Sequence, residues 1–456
     1  MREKIRTRSL NRLLTIENHL KPQPRSHPTS STVRIELSKT WALMDESIDI
    51  SIKGLRGGQS ITVQAFLRES GKTYGSYGHY KANEQGVVDV LTAPSLGGTY
   101  TGVDPVGLFW SLTTTPGVKP GRLIKSDVMT PYNVFIAVQD GFQDFNSLPW
   151  VENPPSLACT LLQRSYCAPG VKRIPVQENG LIGILFLPEG EGPFPGIIDV
   201  FGLSGVIIEH RSSMLASKGY ACFVFAYIRY EDLPITESDL DFGYFLKAFD
   251  WLASHPNVDS SNIGGVSNCA GGGYSLFIAE RRPKLKCLVC VNGSISPVGA
   301  EHTVEGKVVK PAGFRMERAV PVNGNMFSFR EMYHPSDEML VPQFWQHGAK
   351  FIFVQGEDDQ CVNPAAVGHM RSLVPEEYRR DNMEIVYYPG AGHIIEPPHA
   401  PLCRANFNKV LRMYLLWGGQ PKPHADAQVD VWKRTLDFLN KNLRQNVAST
   451  AARPEL

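Results

Sequence analysis

Ile263-Gly264-Gly265-Val266-Ser267-Asn268-Cys269-Ala270-Gly271-Gly272-Gly273 decides the reading of this chain. An apolar strand runs into a turn of small residues. The turn opens at once onto a helical pattern carried by Tyr274, Phe277, Ile278, Glu280 and Arg281. This is the layout of a nucleophile elbow, in which a nucleophile sits at the tip of a strained strand-to-helix turn flanked by residues small enough for backbones to cross. Two side chains compete for the tip: Ser267 within Gly265-x-Ser267-x-Cys269, and Cys269 within Ser267-x-Cys269-x-Gly271. Cys269 is preferred on two grounds. The closest approach comes just after the nucleophile, and with Cys269 at the tip Gly271 and Gly272 fill those positions. Strand length agrees, because a strand from Ile263 that stops at Ser267 has about four residues, short of the usual five or six. A free cysteine is most often a small buried hydrophobe; the glycine context outweighs that alternative.

An elbow needs an orienting acid and a base, in the chain order nucleophile, Asp/Glu, His. Lys350-Phe351-Ile352-Phe353-Val354-Gln355-Gly356-Glu357-Asp358-Asp359 is an apolar strand that ends in an acidic loop. Glu384-Ile385-Val386-Tyr387-Tyr388-Pro389-Gly390-Ala391-Gly392-His393 is a second strand, ending in a glycine-rich loop with one histidine. Asp359 is expected to orient His393, with Asp358 in reserve. Each group alone reads equally well as a solvated loop residue; the three together, in order and on strand ends, do not. A histidine paired with Cys269 lowers the thiol pKa from its free value of about 8.5.

The oxyanion donors are expected to be the backbone N–H of Ala270, which follows the nucleophile, and that of Leu203. Leu203 belongs to the small-residue loop Gly202-Leu203-Ser204-Gly205 after the strand Gly196–Phe201. The alternative reading of that loop is a plain strand-to-helix turn.

With these pieces in place the chain resembles the family of type I acyl-CoA thioesterases and bile acid-CoA:amino acid N-acyltransferases. The resemblance rests on His255-Pro256, the elbow, Gly356-Glu357-Asp358-Asp359, Gly392-His393-Ile394-Ile395-Glu396-Pro397-Pro398 and Trp417-Gly418-Gly419. Nearer the N-terminus, Gly98–Pro105 and Gly107–Leu112 also match. It runs from about Thr32 to about Leu443 and puts the nucleophile on Cys269. Thioesterase members resemble Gly-x-Ser-x-Gly there, whereas Ser267-Asn268-Cys269-Ala270-Gly271 and Pro389-Gly390-Ala391-Gly392-His393 look like the N-acyltransferase branch. Ala270 departs from the long polar residue frequent in relatives, which bears on substrate preference.

Composition bounds the remaining classes. The 456 residues are 42% hydrophobic and 20% charged, which fits a globular chain of two domains. Net charge is +1, from 46 Lys+Arg against 45 Asp+Glu, so no electrostatic case exists for nucleic acid or an anionic membrane surface. No apolar run is long enough to call a membrane span. Eight cysteines in so long a chain make no disulfide scaffold, and a cysteine at the tip implies a reducing, intracellular setting. Cys287-x-x-Cys290 lies within the buried-strand pattern Leu285–Val291 and reads as core; no second ligand pair suggests a metal.

Residues 1–31 read as a basic extension. Arg2, Lys4, Arg6, Arg8 and Arg12 are interleaved with Leu10, Leu13 and Leu14, a pattern like that of a mitochondrial transit peptide; Glu3 and Glu17 count against it. Cytoplasmic and peroxisomal placement are the alternatives. Residues 32–149 read as all-β: Val33, Ile35 and Leu37 alternate with polar residues, as do Ile48, Ile50 and Ile52, and Ile61, Val63 and Ala65. Short strands between Gly and Asp turns suggest a sandwich, and the resemblance implies an immunoglobulin-like one. Residues 150–170 are read as a linker containing a returning strand near Thr160–Tyr166. Residues 171–444 alternate strands and helices, which argues a mostly parallel sheet wrapped by helices, an α/β-hydrolase core. Its last helix is expected to turn Val429, Trp432, Leu436 and Leu439 to one face. A tail, 445–456, completes the chain.

His210, Arg211, Tyr230, Arg404 and His399 are basic or aromatic candidates near the elbow for contacting coenzyme A, but each reads better as a solvated surface residue. No phosphate-cradling loop is present, so the CoA thioester is expected as substrate, with no bound cofactor. Three functions follow: acyl transfer from CoA through Cys269 to an amine such as glycine or taurine; thioester hydrolysis with water as acceptor; or binding without catalysis, which requires a broken triad.

Overall fold

A computed structural model describes residues 33–311, 315–332, 341–408 and 411–444. The basic N-terminal extension and the C-terminal tail lie outside the described residues.

Period-two alternation builds the N-terminal part. Ser60–Glu69 and Lys72–Lys81 form a hairpin around Ser70 and Gly71, both at positive φ (50° and 74°). This is the twist that a two-residue hairpin turn demands. The hairpin joins a six-stranded sheet in the order Trp41–Leu43, Ala158–Ser165, Tyr132–Asp140, Ser60–Glu69, Lys72–Lys81, Thr113–Thr114. All its pairs are antiparallel except Trp41–Leu43 with Ala158–Ser165. Arg34–Leu37, Ile50–Lys53 and Val88–Asp89 form a second sheet. Ile50, Ile52 and Val88 from one sheet share a core with Ile61, Val63, Ile136 and Leu162 from the other. The returning strand in the stretch read as a linker is therefore a full member of the first sheet.

The eight strands of the following sheet are numbered in chain order: β1 (Lys172–Glu178), β2 (Leu181–Leu187), β3 (Phe194–Val200), β4 (Ala221–Ala226), β5 (Val258–Asn268), β6 (Leu285–Val291), β7 (Lys350–Gly356) and β8 (Met383–Tyr388). Their spatial order is β1-β2-β4-β3-β5-β6-β7-β8. The β1–β2 and β2–β4 pairs are antiparallel and the rest are parallel. This is the α/β-hydrolase arrangement. Its central strands are buried on both faces and so read as continuous apolar runs. The helices are α1 (His210–Ser217), α2 (Gly243–Ser254), α3 (Gly271–Arg281), α4 (Ala365–Leu373), α5 (Glu376–Asn382) and α6 (Pro421–Leu443). Cys287 and Cys290 are buried in β6, as core.

Two expectations need correction. β5 begins at Val258 and its register shifts between Ile263 and Gly264, so it is 11 residues long. A strand ending at Ser267 would also be long, and strand length does not discriminate between the two nucleophiles. On α6 the buried stripe runs through Ala425, Val431, Trp432, Leu439 and Leu443, while Val429 is exposed. Leu443 packs over the bare backbone of Gly264, which rotates the stripe away from Val429. His302–Val304 with Lys307–Val309, and Val320–Asn323 with Met326–Ser328, form small hairpins between β6 and β7. The second hairpin joins Ala405–Asn408 and Met413–Leu416 in a four-stranded sheet. These strands have three or four residues each, too few for alternation to register.

Candidate active site

β5 ends at Asn268, Cys269 takes φ +54°, and α3 starts at Gly271. A non-glycine residue in the left-handed region is uncommon and costs backbone energy. The close approach here is quantitative. A Cβ on Gly271 would lie 2.1 Å from the carbonyl oxygen of Val200, and one on Gly272 2.7 Å from Cα of Gly293. Only glycine lets the start of α3 cross β3 and the chain after β6. Ser267 is fully buried within β5, opposite Cys290 of β6.

β7 delivers Asp359 and β8 delivers His393. Asp359 is fully buried, and its Oδ2 accepts from His393 Nδ1 at 2.8 Å. Its Oδ1 accepts the amides of Cys361 (2.7 Å) and Val362 (2.9 Å). Asp358 points elsewhere: its Oδ2 accepts the Gly419 amide at 2.8 Å and its Oδ1 the Gln360 side chain at 3.0 Å. His393 stacks on Trp417 with ring centroids 5.3 Å apart, and its own N–H donates to the Trp417 carbonyl. Asn292, at the end of β6, ties the two loops together. Its side chain accepts from the Gly356 amide and donates to the carbonyls of Gly392 and His393.

The electrostatics follow from this packing. Burial pulls the His393 imidazolium down, but Asp359 and Cys269 outweigh it and hold the ring at about 10. The Cys361 thiol, donating to Cys269, is the first cause that holds the Cys269 thiol well below its ordinary range; His393 and the Ala270 amide add to it against burial. Cys361 is pushed up in turn by that same hydrogen bond and by burial. Each group thus favours the charged form of the other, thiolate on Cys269 and imidazolium on His393.

The loop after β3 meets the elbow. A Cβ on Gly202 would lie 2.9 Å from Cys269 Sγ, so the Gly202 backbone rests against the Cys269 side chain. Leu203, Cys269 and Ala270 line a mostly apolar cavity of about 90 Å³ with Ile228, Met316 and Leu415. A second pocket, also mostly apolar, is lined by Cys269 with Arg122, Ser204, Asn268 and His393. The small sheet between β6 and α6 roofs both through Asn408.

Three of the coenzyme A candidates are internal rather than solvated. His210 Nε2 is 2.7 Å from Glu396, which also pairs with Arg122. Arg211 binds Asp199, and His399 contacts Met44 and Arg164. Exposed Arg404 lines a separate groove with Pro120 and Cys403, and Tyr230 is half-buried. Sequence reading passed over Cys361, Asn292 and Arg122. Cys361 had one signal, its place two residues after the acid; the other two join the site through long-range packing.

Among the described residues no helix is long and apolar enough to cross a membrane. Residues 45–178 match the family described as acyl-CoA thioester hydrolase/BAAT N-terminal region, and 240–445 match BAAT/acyl-CoA thioester hydrolase C terminal. The chain is 39% identical over 414 residues to the bile acid-CoA:amino acid N-acyltransferase of Mus musculus, spanning 90% of this chain and 97% of that one. It is 35% identical over 406 residues to the acyl-coenzyme A thioesterase 2, mitochondrial, of Homo sapiens, spanning 88% and 82%. Among solved structures it resembles a dienelactone hydrolase-like promiscuous phosphotriesterase from metagenomic libraries (TM-score 0.38, 16% identity, 60% of this chain and 98% of that one).

Proposed function

We propose, for a chain that belongs to the acyl-CoA thioester hydrolase/BAAT family, that Cys269 takes the acyl group from an acyl-CoA and passes it to an amino acid such as glycine or taurine. The observation that carries this reading is Cys269 at a strained elbow, lining both an apolar cavity and a second pocket that also holds Arg122 and His393.

The Cys269 thiolate attacks the thioester carbonyl, and the oxyanion that forms is met by the amides of Ala270 and Leu203. Collapse breaks the C–S bond to CoA, and the His393 imidazolium protonates the departing thiolate. The acyl chain lies in the apolar cavity. Neutral His393 then takes a proton from the amine as its nitrogen attacks acyl-Cys269. The Cys269 thiolate leaves, and the starting ion pair is restored. Asp359 holds the ring in the tautomer that both steps require.

The second reading is hydrolysis, with water in place of the amine, and relatives named as thioesterases favour it. Amine transfer ranks first because thioesters are soft electrophiles that amines attack far more readily than water, and because relatives at 38–39% identity are named as N-acyltransferases. Incubation with acyl-CoAs, with and without glycine or taurine, followed by mass spectrometry of free acid and amide, tests the choice. Amide as the main product is expected; free acid alone would make the enzyme a thioesterase.

The same reading takes residues 32–149 as an immunoglobulin-like domain and 171–444 as the catalytic domain. Its basic N-terminal stretch and a relative named as mitochondrial support a mitochondrial location, with the cytoplasm and the peroxisome as alternatives.

A further inference from the structure

Cys361 forms no covalent bond in the acyl-transfer steps, yet it stands inside the site. Its Sγ, the Sγ of Cys269 and a ring nitrogen of His393 all lie within 4.8 Å of one another. His393 Nδ1 is engaged by Asp359, so the nitrogen that faces the two sulfurs is Nε2. We propose that Cys269, Cys361 and His393 form a binding site for a soft divalent cation, Zn²⁺ first, whose occupation shuts off the enzyme.

The donor set is Cys2His. Zn²⁺ accepts thiolate at about 2.3 Å and imidazole at about 2.0–2.1 Å in a tetrahedron, which separates ligand atoms by roughly 3.5 Å. Side-chain rotation covers the contraction from the observed spread. The fourth position faces the apolar cavity, which both cysteines line, so the ion has an entry path and room for a water or a free thiol. Asp359 on Nδ1 supplies the outer carboxylate that metal-ligating histidines characteristically keep, and its other oxygen is fixed by two amides. Binding moves no electrons. It displaces one proton from Cys361 and one from the His393 imidazolium, while Cys269 enters as thiolate. The ion then occupies both the nucleophile and the base.

The test uses the full chain, stripped of metal and reduced, with Co²⁺ as a spectroscopic probe and Zn²⁺ as competitor. One equivalent of Co²⁺ should give a thiolate-to-metal charge-transfer band and tetrahedral visible bands, and Zn²⁺ should bleach both. Zn²⁺ should also protect Cys269 and Cys361 together from alkylation, as mapped by mass spectrometry, while exposed Cys159 stays reactive. Cys361→Ala should weaken Zn²⁺ binding, measured against a chromogenic chelator, by more than the roughly 10–100-fold that loss of an outer-shell partner costs. Unchanged affinity in Cys361→Ala, or Zn²⁺ binding that leaves Cys269 and Cys361 open to alkylation, would overturn the proposal. The protection arm needs only the native chain, so misfolding of the variant does not remove the test. Neither readout requires acyl-CoA, so each stands apart from the choice of acceptor.

Discussion

Asp359 holds His393 with one oxygen at 2.8 Å and is itself held by two backbone amides on the other. A carboxylate fixed at both oxygens cannot swing away from the ring, and so the ring cannot change the nitrogen it offers to Cys269. Asp358, its neighbour in sequence, braces Gly419 instead.

Asp359→Asn should therefore lower the single-turnover acylation rate by about two to four orders of magnitude, by allowing the wrong His393 tautomer. Asp358→Asn should act mainly on thermal stability, with a much smaller rate loss. Larger kinetic damage from Asp358→Asn would reverse the assignment.

His393 is held at about 10 and Cys269 well below its ordinary range, so the thiolate–imidazolium pair should persist through neutral pH. Alkylation of Cys269 by iodoacetamide should be fast and flat across neutrality and change again only as His393 loses its proton near pH 10. A single rise centred near 8.5, the free thiol value, would contradict the pairing. The stability contributions have opposite signs. That of His393 is complete below 6.5 and is lost as pH rises through about 10. That of Cys269 is complete above 9.0 and is lost as pH falls through its lowered folded value.

Two glycine substitutions should separate folding from chemistry. Gly271→Ala puts a methyl 2.1 Å from the Val200 carbonyl, a backbone atom that cannot yield, and should lower Tm sharply or prevent folding. Gly202→Ala places its methyl against the Cys269 side chain and should cut kcat/KM at least tenfold with a smaller loss of Tm. Differential scanning calorimetry beside single-turnover kinetics reads both; equal Tm losses would contradict the distinction.

Cys269→Ser should slow acylation at neutral pH, because a hydroxyl depends wholly on His393 for activation. It should also shift products towards free acid, since an oxyester discriminates less in favour of amines. An unchanged amide-to-acid ratio, measured by mass spectrometry, would contradict that chemical argument.

The elbow was legible because it is local: a strand, a tip and three glycines within one short stretch. The pairing of Asp359 with His393 was legible because strand-end loops carry the two in a fixed order. Asp359 stood out from Asp358 only by its distance from Gly356. Cys361 had only its place two residues after Asp359 to mark it; Asn292 and Arg122 were not legible, because their contacts arise where segments far apart in sequence meet. Arg122 comes from the N-terminal part and reaches Glu396 across the molecule. His210, Arg211 and His399 were read as solvated surface residues, since no pattern in the chain announces a buried ion-pair partner. The short strands roofing the site have too few residues for periodicity to act on.

The central claim is that an acyl group rests on Cys269 before an amine removes it. Rapid mixing of the enzyme with acyl-CoA, an acid quench within the first turnover and peptide mapping by mass spectrometry address it directly, with and without a chase of glycine or taurine. The account predicts an acid-stable acyl adduct on Cys269 that decays slowly in buffer and is consumed much faster, as amide, when the amine is added. An adduct on Ser267, no adduct at all, or a decay rate indifferent to the amine would contradict it.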